Sequence, residues 1–164
     1  MDLWLVLSLA RLVVAALAAA IGVYLAAWLY EALTPQVDVW AELARGNRAV
    51  GAALAGVIVG VALVVYPVVS VPLEAFDVGP GEAATVLLIE GLRLLFGIGV
   101  GALAVVLATG LYHFLTGPVD ERRELQQGNL AVGLVEAAVI VGTALIISAP
   151  TASLVRSVLD AVVG

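Results

Sequence analysis

The 164-residue chain is 63% hydrophobic and 12% charged, with a mean hydropathy of +1.17, more apolar surface than a soluble domain of this length can bury. It has no cysteine and one histidine, which excludes disulfides, thiol catalysis and Cys-ligated metals and leaves too few ligands for a His-based metal site. The net charge is −6 and every basic residue is arginine, so a basic footprint for nucleic acid is missing.

The first apolar stretch, Leu12–Leu33, is long enough to cross a bilayer as a helix. It continues upstream of Arg11 through Leu3–Ala10, and a helix over Leu3–Leu33 would measure about 45 Å at 1.5 Å per residue. That exceeds a hydrocarbon core of about 30 Å, so the extra turns must tilt, lie in the interface or pack on something outside it. Asp2 and the interrupting Arg11 argue against a cleaved signal peptide.

A polar loop with Arg45 and Arg48 follows, then the second span, Ala49–Tyr66. The link Pro67–Glu82 carries Glu74, Asp77 and Glu82 but no basic residue. The third span, Leu94–Leu115, is again extended upstream, through Ala83–Leu92. A second polar loop, Gly117–Gly128, holds Arg122 and Arg123 and leads into the fourth span, Leu130–Ser148. After Pro150, Leu154, Val155, Val158, Leu159 and Val162 oppose Arg156 and Asp160, the pattern of a short amphipathic surface helix.

The two polar loops are copies. Thr34–Gly51 and Thr116–Gly133 share T-x-x-V-D-x-x-x-E-L-x-x-G-N-x-A-V-G, and each runs on into V-I-V-G, at Val57–Gly60 and Val139–Gly142. The same spacing pairs Arg11 with Arg93 and Tyr30 with Tyr112. The expected fold is therefore an all-α integral membrane protein of four transmembrane helices, built as tandem two-span repeats over residues 1–82 and 83–164. Copies that enter and leave on one side give a parallel pseudo-two-fold along the membrane normal. The arginine-bearing loops are expected in the cytoplasm and both termini outside.

Several residues stand out as candidates. Asp38 and Asp120 suit N-caps of short helices that end at Gly46 and Gly128, with Asn47 and Asn129 capping the spans that follow. The alternative is that the two Gly-Asn turns face each other and bind an ion or a partner loop. Arg11 and Arg93 fit lipid-phosphate anchors at the far headgroup level, and Glu90 is one turn from Arg93 on the same face. Glu136 lies inside the fourth span where its counterpart is Leu54, so it should face a partner helix, a cavity or another subunit. Gly56 with Gly60 and Gly97 with Gly101 form small-residue faces. Glu31 and His113, beside Tyr30 and Tyr112, mark the loop-side interface.

The doubled E-L-x-x-G-N-x-A-V-G loop resembles the YjfL-like family of small inner-membrane proteins, domain of unknown function three-fifty, over nearly the whole chain. The resemblance implies a four-span prokaryotic membrane protein with an internal two-span repeat, in the setting of phage-shock-type envelope-stress proteins. It implies no activity. No P-loop, dinucleotide fingerprint, HExxH or nucleophile elbow occurs, so neither catalytic residues nor cofactors are expected. The leading expectation is a non-enzymatic, homo-oligomeric envelope scaffold that docks partners through its loops. The alternative is a small ion channel or proton-coupled transporter that uses Glu136.

Overall fold

The computed structural model describes residues 3–70, 83–117 and 120–163, and these are all-helical. In chain order the helices are α1 (Leu3–Leu33), α2 (Val39–Ala44), α3 (Arg48–Val69), α4 (Ala83–Thr116), α5 (Glu121–Gln126) and α6 (Leu130–Val163). Four of them are long and apolar enough to cross a membrane, over Ala15–Leu33, Arg48–Val68, Gly91–Thr116 and Leu130–Val155. The chain is a multi-pass membrane protein. Helix is the form these segments must take, because lipid offers backbone groups no partner.

α3 and α6 form the centre. They approach so closely that a Cβ added to Gly56 would come within 2.5 Å of the Ala137 Cα. One added to Gly60 would lie 2.9 Å from Ile140, and one on Gly133 would overlap the Ala49 carbonyl. Glycine is what allows two backbones to meet here. α4 lies on α3 in the same manner, with Gly97 facing Val68 and Gly101 facing Val61. All four glycines of the two G-x-x-x-G faces are thus used within one chain, which removes them as grounds for lateral assembly.

Both prolines are carried inside helices. α3 runs past Pro67 to Val69, and α6 runs past Pro150 to Val163. This corrects the expected separate short surface helix after Pro150. A proline removes one hydrogen bond of the helical ladder, and the turn beside each carries an added side-chain bond. The Ser70 hydroxyl donates to the Tyr66 carbonyl at 2.7 Å, and the Thr151 hydroxyl to the Ile147 carbonyl at 2.7 Å. The segments upstream of Arg11 and Arg93 are likewise continuous parts of α1 and α4. Asp77 and the rest of 71–82 lie outside the described residues.

Candidate functional site at the loop end of the bundle

The two short loops fold alike. The Asp38 carboxylate accepts from the Ala41 N–H at 2.9 Å, and the Asp120 carboxylate from the Arg123 N–H at 3.2 Å. Each short helix then closes in the same reversal. Gly46 and Gly128 both have φ +78°, a left-handed conformation that only glycine adopts without strain. The Gly46 N–H donates to the Leu43 carbonyl and the Asn47 N–H to the Glu42 carbonyl; Gly128 and Asn129 repeat this onto Leu125 and Glu124. These paired bonds are the Schellman closure, which satisfies carbonyls that the helix end leaves open.

Asn47 and Asn129 start the membrane helices. The Asn47 side-chain oxygen accepts from the Ala49 and Val50 N–H groups, and that of Asn129 accepts from Ala131. Their amide groups donate to Glu42 at 2.8 Å and Glu124 at 2.7 Å, which accounts for the glutamate in the repeated motif. Only one asparagine is shown reaching across. Asn47 also donates to the Leu125 carbonyl at 2.8 Å, while the Gln126 amide donates back to the Gln36 carbonyl. The asparagine oxygens are therefore engaged in caps, and the capping reading accounts for both Gly-Asn turns. Trp40, Arg45, Arg48 and Arg123 are left exposed around this joined surface.

Beneath the loops lies a second group of residues. Glu136 is 2% exposed and accepts from the Tyr30 hydroxyl at 3.4 Å. Of the surroundings expected for it, the structure shows a partner helix, and its burial within one chain leaves no need for a second copy to cover it. Tyr112 donates to the Val132 carbonyl at 3.4 Å. His113 pairs through Nδ1 with Glu121, whose side chain is buried. Glu121 did not stand out in the sequence. The signal was a double exchange between the copies, because Glu31 and Val39 in the first occupy the places of His113 and Glu121 in the second.

Arg93 is at the opposite end and is not a lipid anchor. It is 2% exposed, and its Nη2 donates to the Val68 carbonyl at 2.6 Å, one of the last carbonyls of α3. A cation there also complements the negative end of the helix dipole. The side chains of Arg11 and Glu90 lie outside the described residues.

A family model described as Domain of Unknown Function (DUF350) matches residues 4–149. The chain belongs to the DUF350 family. No curated protein and no solved structure matches it. For this DUF350 chain, the site must therefore be read from its own geometry. Residue by residue, the structure brings Glu136 to Tyr30 and Asn47 to the second loop, and places Arg93 at the far end of the bundle.

Proposed function

We propose that the chain is a non-enzymatic envelope component of the cell membrane, a scaffold or interaction protein that presents its two loops as one docking surface. The observation that carries this reading is the cross-loop pair, Asn47 to the Leu125 carbonyl and Gln126 to the Gln36 carbonyl. It makes two short loops into one rigid surface, and around it stand an exposed tryptophan and three exposed arginines. Tryptophan and arginine are the residues that most often anchor protein contacts.

Four arginines on the two loops, Arg45, Arg48, Arg122 and Arg123, favour a cytoplasmic location for this surface and put both termini outside. Matching caps and glycines in the two loops support a tandem repeat, 1–82 and 83–164, with a parallel two-fold relation. The partners that the family resemblance suggests are phage-shock-type membrane-stress proteins. Self-association is proposed through the far turns of α1 and α4. At 31 and 34 residues, these helices outrun a bilayer core of about 30 Å.

Conduction through a single chain is less well supported. Among the described residues, the spanning helices bury mainly apolar side chains such as Val57, Val61, Val64, Ala104, Val105, Ile140 and Ala144; besides Glu136, their buried polar side chains are Thr109, Thr151 and Arg93, a sparse set for an ion path. A photo-crosslinking residue at Trp40 in intact cells should give a defined protein adduct that is lost in Arg45→Glu/Arg48→Glu. The same residue at lipid-facing Ile146 should not give that adduct. Identical adducts from both positions, or a flux into vesicles abolished by Glu136→Gln, would favour the channel or transporter instead.

A further inference from the structure

Glu136 is buried where a neutral hydroxyl, and no cation among the described residues, is seen to meet it. From α1 it meets Tyr30, a neutral donor at 3.4 Å. From α4 come Tyr112, whose hydroxyl donates to Val132, and His113, which pairs with Glu121. From α5 comes Glu121 itself, a second carboxylate close enough to act on Glu136 electrostatically. α3 adds only apolar side chains to the buried core, Val50, Ala53, Leu54 and Val57 among them. Among the described residues, Glu136 forms no ion pair with any arginine or with the histidine.

Enclosing a carboxylate away from water with no cation beside it is costly. A metal ion would need several converging oxygen or nitrogen ligands, and no group of three acidic, His or Cys side chains converges among the described residues. The position also has a mechanical consequence. The described part of α1 is buried only at Gly22, Ala26, Ala27 and Tyr30, so Tyr30 is the largest side chain seating it on the core. Its hydroxyl meets α6 at Glu136.

We propose that Glu136 is a proton-binding site, and that the bound proton keeps α1 seated against α6 at the loop end. On release, the carboxyl O–H bond breaks, the proton passes to water and a carboxylate stays behind. That carboxylate must then be hydrated, and α1 is the helix whose shallow seating lets water reach it. The ligand is a proton, and the proposal goes beyond the docking role of the loops because it needs no partner protein.

The test is infrared difference spectroscopy of the full chain in lipid nanodiscs, stepping pH from acidic to alkaline. It reads the C=O band of a protonated carboxyl group. A band lost in Glu136→Gln and retained in Glu121→Gln is the expected result. In Tyr30→Phe the band should persist and move to higher frequency, because its hydrogen bond is gone, and this assigns the group even where Glu136→Gln does not fold. Nitroxides on α1 at Leu25 and on α4 at Leu111 should show a distance distribution that broadens in the parent as the band disappears and stays narrow in Glu136→Gln. Absence of the band at every pH in the parent would overturn the proposal. So would its loss in Glu121→Gln alone, or an unshifted band in Tyr30→Phe. Broadening that ignores Glu136→Gln would sink the link to α1.

Discussion

α1 and α4 occupy matching places in the two copies, yet they are seated differently. On α4 the buried residues run its length, from Arg93, Leu94, Gly97, Ile98 and Gly101 through Ala104, Val105 and Ala108 to Thr109 and Tyr112. On α1 the buried positions Gly22, Ala26, Ala27 and Tyr30 match the loop-side part of that stripe. The counterparts of Leu94, Gly97, Ile98 and Gly101 are Leu12, Ala15, Ala16 and Ala19, all exposed. A cleft of about 210 Å³ opens there, lined by Ala15, Ala19 and Gly22 of α1 with Val61 and Val65 of α3. Gly97 and Gly101 of α4 meet Val68 and Val61 of α3, whereas Ala15 and Ala19 at the matching positions of α1 line the cleft. Similar sequence has produced similar loops and dissimilar helix packing, because loops close on local hydrogen bonds and helices close on the shape of a neighbour.

The largest effects are expected where backbones touch. Gly133→Val and Gly56→Leu should each destabilise the fold by about 3 kcal/mol through overpacking of α3 against α6. Gly99→Ala and Gly110→Ala meet nothing within 4 Å and should gain up to about 1 kcal/mol in helix stability. Unfolding in mixed micelles would measure both. Equal losses at all four positions would refute the close α3–α6 approach.

The α1–α4 contrast itself can be sharpened next. Gly97→Leu and Gly101→Leu push against Val68 and Val61 and should be destabilising by about 1–3 kcal/mol. Ala15→Leu and Ala19→Leu enter an open cleft and should stay within about 0.5 kcal/mol of the parent. A similar penalty in both helices would show that α1 is seated as firmly as α4.

Smaller differences separate the loops. Asn47→Ala and Asn129→Ala each remove a helix cap, at about 1 kcal/mol. Asn47→Ala also gives up the bond to the Leu125 carbonyl and should lose about 1 kcal/mol more. The same unfolding assay decides it, and an equal loss at the two sites would show that the loops are not joined through Asn47.

Much of this was legible from residues alone. Four spans follow from apolar length, and the loop caps follow from Asp, Gly and Asn at spacings that local geometry demands. The family followed from the doubled loop. Distant relations were harder to read. Arg93 looked like a headgroup anchor because its helix is long, but α3 ends beside it with carbonyls that need a donor. The second and fourth spans read as Ala49–Tyr66 and Leu130–Ser148 on apolar length, yet both helices continue through Pro67 and Pro150. Glu136 was visible as an oddity, and its partner was not, since Tyr30 is far away in sequence.

The most direct measurement compares two matched pairs of nitroxides in nanodiscs by pulsed electron resonance. One pair replaces Leu17 on α1 and Val59 on α3; the other replaces Gly99 on α4 and Val141 on α6, the positions at the same spacing in the second copy. All four lie away from the α3–α6 glycine contacts, so labelling leaves the centre intact. A broad distance distribution is expected for the α1 pair and a narrow one for the α4 pair. Two distributions of equal width would contradict the unequal seating of the two helices.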